Sequence, residues 1–256
     1  MSWRLAVIGN PVAHSLSPRL HAAALAYVGL DGESQALEVD SIDDNFEAIV
    51  ASHDALSVTM PLKEQLVDRC DDVDEIARRT GSVNSLLMRG GRLLGRSTDG
   101  AGFLDALGEN RPGEGSRVLV LGSGGSAKAI VDACSHAGSR VDIVSRNATT
   151  RDALAARYPN ATAVSEARGT FDVVVNTTPV REGETRADCP AIVPSANGVA
   201  VDIVYSPART SWMDECERGG FRTMNGVMML VHQARHQFRW WFDDDVPVAA
   251  LMKALD

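Results

Sequence analysis

The stretch RVLVLGSGGSAKAI, residues 117–130, decides how this chain folds. Its opening run is almost continuously apolar, as expected of a strand that is buried on both faces of a parallel sheet. Three glycines follow within four residues, and a helical pattern begins near Ala127. A strand, a glycine turn and a helix in this order predict the first βα unit of a Rossmann-like domain.

The glycine turn matches a phosphate-binding pattern. Gly122, Gly124 and Ala127 fit G-x-G-x-x-G/A, in which glycine lets the backbone approach a pyrophosphate and the helix N-terminus favours its negative charge. The alternative is a tight strand-to-helix turn without a ligand. We predict dinucleotide binding, with these contact residues: Gly122, Ser123, Gly124, Gly125, Ser126 and Ala127.

The end of the next strand indicates which dinucleotide is bound. An acidic residue there accepts a hydrogen bond from the ribose 2′-hydroxyl of NAD. The chain instead reads DIVSRN, with Ser145 and Arg146 at the strand end and Asp142 inside the strand. A guanidinium pairs with a 2′-phosphate, so the pattern favours NADP over NAD. The alternative is that Arg146 is a solvated strand-end residue.

Strand-like and helix-like patterns alternate along the whole chain, which favours an α/β architecture. A hairpin is predicted around Gly90–Gly91, and a breaker-rich stretch at 110–116 precedes the glycine unit. We predict two domains. The first is an α/β domain with a mainly parallel sheet, the second is Rossmann-like, and the boundary lies between about Gly100 and Gly115. From these patterns alone, the C-terminal helices over 227–256 fit either half. The predicted strands are 4–9, 34–40, 56–60, 117–121, 140–145, 171–178 and 199–205; the predicted helices include 19–28, 42–52, 64–80 and 227–242.

Composition excludes several classes of protein. With 256 residues and a formal net charge of -9, the chain lacks the basic surface of a nucleic-acid binder. No signal peptide or membrane-spanning stretch is visible, and the four scattered cysteines are typical of free thiols in a reducing compartment, so we expect a cytoplasmic protein. His232 and His236 are four residues apart but have no third ligand in the pattern, so no metal site is predicted.

Six motifs run in the order and at the spacing of one known family. They are GNPVAHSLSP (9–18), VTMPLK (58–63), GSVNSL (81–86), STDGAG (97–102), GSGGSAKA (122–129) and MMLVHQ (228–233). In this combination the chain resembles the shikimate dehydrogenase family over essentially its whole length. The resemblance implies that the C-terminal helices complete the first domain, so that residues 1–100 with 227–256 form the substrate-binding and catalytic domain and residues 101–226 form the NADP-binding Rossmann-like domain.

The resemblance implies an activity, a substrate and roles for individual residues. It implies NADP-dependent interconversion of 3-dehydroshikimate and shikimate, in the biosynthesis of chorismate and the aromatic amino acids, by a monomer or homodimer. By position, Lys63 and Asp99 match the catalytic pair. Ser15 and Ser17 match the contacts to the substrate carboxylate. The other substrate contacts are Thr59, Asn84 and Gln233, and we assign Tyr205 and Gly226 to the cofactor site.

Taken alone, these residues have simpler interpretations. Ser17 before Pro18 is a good helix N-cap, Asp99–Gly100 is a turn signal, and Lys63 is a solvated lysine. Within the family pattern, Lys63 either takes the hydroxyl proton or orients the alcohol as an ammonium donor. Desolvation favours the first role and the neighbouring carboxylate favours the second.

The chain also departs from the family pattern. Ser97 stands where the family has the asparagine of NTDG, Ser85 replaces the threonine of VNT, and SRN (145–147) replaces NRT. The family's NATxxGM turn reads NTTPVREGE (176–184). Two alternatives therefore stay open: a paralogue that acts on quinate or a related cyclic hydroxy acid, with NADP or NAD, and a catalytically silent nucleotide-binding sensor.

Overall fold

The computed structural model describes residues 2–42, 44–179 and 191–256. The chain divides into two compact units: unit 1 comprises Met1–Gly102 with Val231–Asp256, and unit 2 comprises Phe103–Leu230. Unit 1 is therefore built from two separate segments of sequence, and unit 2 is inserted between them.

Unit 1 contains a six-stranded sheet in the order β2-β1-β3-β5-β6-β4. Strands β1 and β2 are parallel, as are β1 and β3, and β4 and β6, but β3–β5 and β5–β6 are antiparallel. Three of the five strand pairings are therefore parallel, and the β5–β6 pairing is the predicted hairpin, in which Gly90 and Gly91 both have positive φ. The strands are β1 (Trp3–Gly9), β2 (Gly32–Glu38), β3 (Ala55–Val58), β4 (Asp72–Val73), β5 (Ser85–Arg89) and β6 (Arg92–Arg96).

Helices α1 (Ser17–Val28), α2 (Asp44–Ser52) and α3 (Glu75–Thr80) belong to the first segment of unit 1, and α9 (Val248–Lys253) belongs to the second. Helices α4 (Asp99–Ala106) and α8 (Val227–Phe242) begin in one unit and end in the other. Apolar residues of β1, β3 and α2 form a buried core with Leu62 and Leu66. This core holds the chain that follows β3 in a fixed position.

The prediction of one helix over 64–80 is wrong. The segment forms a 3₁₀ turn at Val67–Arg69, then the short strand β4, and only then α3. Strand β4 pairs with β6, and Asp71 accepts a hydrogen bond from the backbone N–H of Leu93 at 2.7 Å. Asp74 then caps α3 by accepting from the backbone N–H of Ala77 at 2.7 Å. Pairing with the hairpin therefore overrides the helical pattern.

Unit 2 contains a parallel six-stranded sheet in the order β12-β11-β10-β7-β8-β9. Counted within the unit, this is the 6-5-4-1-2-3 order of a doubly wound dinucleotide fold. Its strands are β7 (Arg117–Leu121), β8 (Arg140–Val144), β9 (Ala161–Ala163), β10 (Arg168–Asn176), β11 (Ala191–Asp202) and β12 (Arg222–Met224); its other helices are α5 (Gly125–His136), α6 (Ala148–Ala155) and α7 (Ser211–Arg218).

Sequence patterns missed α6, β9, α7 and β12 and placed several boundaries a few residues away. Helix α6 begins after Asn147, whose side chain accepts from the Thr150 backbone N–H, and α7 begins after Thr210 in the same manner. The predicted strands over 171–178 and 199–205 begin and end earlier, as β10 and β11.

Three cysteines in the described residues form no disulfide, namely Cys70, Cys134 and Cys216, while Cys189 lies outside those residues. Burial raises the pKa of the Cys70 and Cys134 thiols to about 12, so both stay protonated. Over 2–42, 44–179 and 191–256, no cluster of three or more His, Cys, Asp and Glu could hold a metal ion, and no helix has the length and apolarity that a membrane crossing needs.

Candidate active site

The loops that follow β1 and β3 lie side by side, at the carboxyl ends of these two parallel strands in the unit 1 sheet. The Asn10 backbone N–H donates to the Met60 carbonyl at 2.8 Å. Gly9 has a φ of +148°, and a Cβ added there would lie 2.4 Å from Cγ2 of Thr59. Glycine is therefore needed for this close approach.

Lys63 and Asp99 form a direct ion pair at this edge. The Nζ atom of Lys63 donates to Oδ2 of Asp99 at 2.5 Å, and the two side chains are 14% and 5% exposed. Lys63 follows the Pro61 turn after β3, and its carbonyl accepts from the Val83 N–H at 2.8 Å. Asp99 is the first residue of α4. The lysine is thus fixed at both its backbone and its side chain.

Asn84 is the centre of the polar cluster around this pair. Its side-chain Nδ2 lies 2.7 Å from Oδ1 of Asp99, 2.9 Å from Oε1 of Gln233 and 2.9 Å from Oγ1 of Thr98. Its Oδ1 accepts the Thr98 backbone N–H at 2.7 Å. Predicted residues from four separate stretches of sequence, namely Lys63, Asn84, Asp99 and Gln233, are therefore connected by hydrogen bonds. Thr98 joins the cluster, although no sequence pattern had singled it out.

A second line of polar side chains lies behind Asn84, and sequence reasoning missed it. Gln237 donates from Nε2 to the Asn84 carbonyl at 2.8 Å and accepts from the Ser57 hydroxyl at 2.9 Å. His21 contacts Oγ of Ser57 through Nε2 at 2.9 Å and Oγ of Ser34 through Nδ1 at 2.7 Å. His21 is fully buried, and this desolvation lowers its pKa to about 3.

The remaining predicted substrate contacts also follow the ends of β1 and β3. Ser15 accepts the Ser17 backbone N–H at 3.2 Å, and Thr59 donates its backbone N–H to the Ile8 carbonyl at 2.9 Å. Ser17 is not the N-cap: Leu16 holds that position, and α1 begins at Ser17. The contacts of these three residues order the two loops, and their part in binding a substrate stays a prediction.

Two serines that depart from the family pattern have unsatisfied hydroxyls. The Oγ atoms of Ser85 and Ser97 are buried and have no hydrogen-bond partner among the described residues. Ser97 lines a cavity of about 480 Å³ in unit 1 together with Arg96 and Trp240. Arg96 lies over the Trp240 ring, with 4.5 Å between the guanidinium carbon and the ring centroid.

The glycine turn of unit 2 lies at the point where the strand order reverses. Strand β7 pairs with β8 on one side and β10 on the other, and the turn follows its carboxyl end. Gly122 has a φ of +121°, and a Cβ there would lie 2.2 Å from Oγ1 of Thr177. Helix α5 starts at Gly125 without a side-chain cap, and Ala127 is fully buried against the sheet. These features suit the pyrophosphate of a dinucleotide.

The end of β8 lies beside this turn. The Ser123 hydroxyl is 2.9 Å from the Ser145 hydroxyl, which ties the turn to the strand end. Arg146 follows and is exposed. Asp142 pairs instead with Arg117, with 2.5 Å between its Oδ2 and the guanidinium Nη2. Arg117 is the first residue of β7, whereas the glycine turn follows the last residue of that strand. The Asp142 carboxylate is therefore held away from the turn.

The other predicted cofactor residues also follow strand ends. Tyr205 comes after β11, and Gly226 comes after β12 and directly before α8. The Gly226 N–H donates to the Val204 carbonyl at 3.1 Å, and a Cβ at Gly226 would lie 2.0 Å from the Ile203 oxygen. Since carboxyl ends of parallel strands share one edge, these residues lie on the same edge of the sheet as the glycine turn.

Sequence reasoning also missed a buried polar pair at this edge. Asn176 donates to Asp202 at 2.9 Å, and both side chains are fully buried at the ends of β10 and β11. Asn176 accepts from the Thr178 hydroxyl at 2.6 Å, and Asp202 accepts from the Thr210 hydroxyl at 2.7 Å. The pair fixes the start of the altered NTTPVREGE turn; positions 180–184 of that turn lie outside the described residues.

Comparisons with known proteins identify the family of this chain. A shikimate dehydrogenase (NADP(+)) from Brucella abortus (strain S19) is 37% identical over 92% of this chain and 87% of its own length. A shikimate dehydrogenase (NADP(+)) from Staphylococcus aureus (strain MRSA252) is 32% identical over 98% and 97%. The chain belongs to the shikimate dehydrogenase family. Family models match at residues 7–86 (shikimate dehydrogenase substrate binding domain) and 226–255 (shikimate 5'-dehydrogenase C-terminal domain).

A solved structure of this family matches nearly the full length of the chain. The crystal structure of shikimate 5-dehydrogenase from Thermus thermophilus in complex with NADP(H) and shikimate has a TM-score of 0.86 and 33% identity, and the match covers 98% of both chains. The two family models include Lys63, Asn84 and Gln233, whereas Asp99 and the glycine turn lie between the matched segments.

Proposed function

We propose that the chain is an NADP-dependent dehydrogenase that interconverts 3-dehydroshikimate and shikimate. The observation that carries this proposal is the ion pair of Lys63 with Asp99, bridged by Asn84 to Gln233. It joins a cation from the loop after β3, an anion at the start of α4, an amide directly before β5 and an amide on α8 in one series of hydrogen bonds. The names of the relatives at 32% and 37% identity support the same reaction.

Lys63 handles the proton of the reacting hydroxyl in this proposal. Oxidation of a secondary alcohol removes a hydride from carbon and a proton from oxygen. The Lys63 ammonium is held at 2.5 Å by a carboxylate that is itself 5% exposed. In the oxidation the Lys63 amine takes the hydroxyl proton and becomes the ammonium that donates to Asp99; in the reverse reaction this ammonium returns the proton to the carbonyl oxygen. Asp99 fixes the direction of Nζ, and Asn84 fixes Asp99.

NADP accepts the hydride when it is bound, and residues of unit 2 fit this cofactor. The turn at Gly122 has no space for a side chain, and the first N–H groups of α5 have no side-chain cap. Both features suit a pyrophosphate. Arg146 follows β8, and Asp142 is occupied by Arg117, so the strand end offers a cation to a 2′-phosphate rather than an acid to a 2′-hydroxyl.

The other predicted residues complete the two sites. Ser15 and Ser17 supply hydroxyls and the first turn of α1 for the substrate carboxylate, which the N-terminus of a helix favours. Thr59, Asn84 and Gln233 contact the ring hydroxyls. Residues 1–100 with 227–256 serve as the substrate domain and 101–226 as the cofactor domain. The protein acts as a monomer or homodimer in the cytoplasm.

A turnover assay tests this function and separates it from its rivals. We would measure kcat/KM of the purified protein for shikimate and for quinate, each with NADP and with NAD, from the absorbance of the reduced nicotinamide. The expected result is the highest kcat/KM with shikimate and NADP. A higher kcat/KM with quinate would identify the protein as a paralogue that acts on quinate. Nucleotide binding without turnover of either acid would assign the chain to the silent sensors.

A further inference from the structure

The buried chain of hydrogen bonds behind Asn84 has one direction, which its own chemistry fixes. Gln237 must donate from Nε2 to reach the Asn84 carbonyl, so its Oε1 accepts from the Ser57 hydroxyl. Ser57 has one hydroxyl proton, and it is committed to Gln237. Oγ of Ser57 therefore accepts from Nε2–H of His21, and Nδ1 of His21 accepts from the Ser34 hydroxyl.

The ring of His21 is held so that it cannot turn away from this arrangement. It is fully buried and makes edge contacts with two aromatic rings of α8, at 5.7 Å from Phe238 and 5.4 Å from Trp241, measured between ring centroids. This series of hydrogen bonds joins four elements of secondary structure. His21 lies on α1, Ser34 on β2, Ser57 on β3 and Gln237 on α8. Its last acceptor is the backbone of Asn84, which follows the turn that leads into β5.

We propose that His21 is a positioning residue for the reaction: its Nε2–H end orients Ser57 and Gln237 and thereby sets where the Asn84 side chain meets Asp99. The Asn84 carbonyl receives both the Gln237 amide and the Val58 backbone N–H, each at 2.8 Å. Its side chain then reaches Asp99 at 2.7 Å, and Asp99 holds Lys63. His21 touches none of the reacting groups, and this role rests on the proposed function.

The substitutions His21→Gln and His21→Asn, which introduce side chains of similar polarity, distinguish a positioning role of His21 from a role in packing alone. In His21→Gln the amide nitrogen reaches the place of Nε2 and donates to Ser57, whereas in His21→Asn the shorter amide reaches only the place of Nδ1. We expect His21→Asn to lower kcat for shikimate by about 10- to 100-fold, since small displacements in an active site have effects of that size. His21→Gln should stay within about threefold of wild type, and Kd for NADP should change by less than about twofold in both.

Nuclear magnetic resonance gives a readout that does not depend on turnover. The side-chain Nδ2 protons of Asn84 should shift in His21→Asn and in Ser57→Ala and stay near their wild-type positions in His21→Gln. If wild type fails to oxidise shikimate, the proposed function falls while these shifts still test the positioning role. Equal losses of kcat and equal resonance shifts in His21→Gln and His21→Asn would overturn the positioning role of His21. The absence of any effect in both variants would overturn it as well.

Discussion

Lys63 is one of three lysines in the chain, and its ammonium is bound to a nearly buried carboxylate. Replacement by alanine removes the group that we propose takes the hydroxyl proton, so we expect Lys63→Ala to lower kcat by about 10²- to 10⁴-fold. Kd for NADP should change little. The exposed Lys253 on α9 provides the control, and Lys253→Ala should keep wild-type kcat. Turnover by Lys63→Ala close to wild type would refute the role assigned to this residue.

Arg146 is expected to decide between the two nicotinamide cofactors. Loss of a charge-assisted hydrogen bond to a 2′-phosphate costs about 1.5–3 kcal/mol, so Arg146→Gln should raise Kd for NADP by about 10- to 100-fold. Kd for NAD should not rise. Arg140, at the opposite end of β8, is the matched control, and Arg140→Gln should leave both constants near wild type. Isothermal titration calorimetry with each nucleotide measures the difference.

The serines around Asn84 differ in whether their hydroxyls are satisfied. Ser85 and Ser97 are buried without partners among the described residues, whereas Ser57 accepts from His21 and donates to Gln237. We expect Ser85→Ala and Ser97→Ala to leave the free energy of unfolding unchanged or raise it by up to about 1 kcal/mol, and Ser57→Ala to lower it by about 1–3 kcal/mol. Urea unfolding measures all three; equal losses would contradict this distinction.

Single residues were predictable where a motif carried the chemistry. Lys63, Asn84 and Asp99 were selected from the sequence and are connected in the structure. Their individual roles stay predictions. His21 and Gln237 could not be selected, because a lone histidine or glutamine on a helix has no pattern that distinguishes it from a core or surface residue. Only the folded arrangement shows that α1 and α8 bring them to one line of hydrogen bonds.

At the scale of elements, the contact between α4 and α8 depends on Gly102. A Cβ there would lie 2.5 Å from the backbone nitrogen of Gln233 and 2.7 Å from its Cα. Backbone atoms cannot yield cheaply, so Gly102→Ala should lower the free energy of unfolding by about 1–3 kcal/mol and displace Gln233. Gly113 is the control, since its added Cβ would meet only the Ala137 carbonyl oxygen, at 4.0 Å.

The measurement is urea unfolding together with KM for shikimate. We expect Gly102→Ala to raise KM, because Gln233 is a predicted substrate contact, and Gly113→Ala to leave KM unchanged. Equal stability of both variants would show that the two helices can separate without loss.

Elements were predictable where the pattern was local. The glycine hairpin, the unit around 117–136 and the helix at 227–242 all appear, and α8 has the predicted ends. The segment 64–80 was not predictable in this way, because β4 forms only through pairing with β6, some twenty residues later in the chain. The short helices α6 and α7 were not predicted, because their N-cap residues, Asn147 and Thr210, are also common in loops.

At the scale of the whole molecule, the buried neutral His21 makes stability depend on pH. Its pKa is about 3 in the folded protein and 6.5 when exposed, so the unfolded chain binds the extra proton between these values. The stabilisation is present above pH 6.5 and is lost as pH falls. At pH 5 the loss is about 2 kcal/mol relative to neutral pH.

Comparison of wild type with His21→Gln isolates this contribution. Burial also raises the pKa of the Asp74 carboxyl, but both proteins share that group and its effect cancels in the difference. We expect the stability advantage of wild type over His21→Gln to shrink by about 2 kcal/mol between pH 7.5 and pH 5 in urea unfolding. A difference that does not vary with pH would mean that the His21 imidazole has the same pKa in the folded and the unfolded protein.

The family and the fold class were predictable from the sequence, and the relatives and solved structures confirm both. Six motifs in one order carry that information, while the strand order of the unit 1 sheet does not follow from them. The reversal of β5 and β6 depends on a two-glycine turn that local pattern revealed. The pairing of the edge strand β4 with β6 could be recognised only in the folded structure.

The insertion of unit 2 into unit 1 has a consequence for the order of synthesis. Asn84 and Gln233, which share a hydrogen bond, are separated by 149 residues. At about 5–20 residues per second, the ribosome adds Gln233 ~7–30 s after Asn84. During that interval all of unit 2 is made, while Asn84, Ser57 and His21 lack their partners from α8. The nascent chain therefore contains all of unit 2 before it can assemble the polar cluster around Lys63.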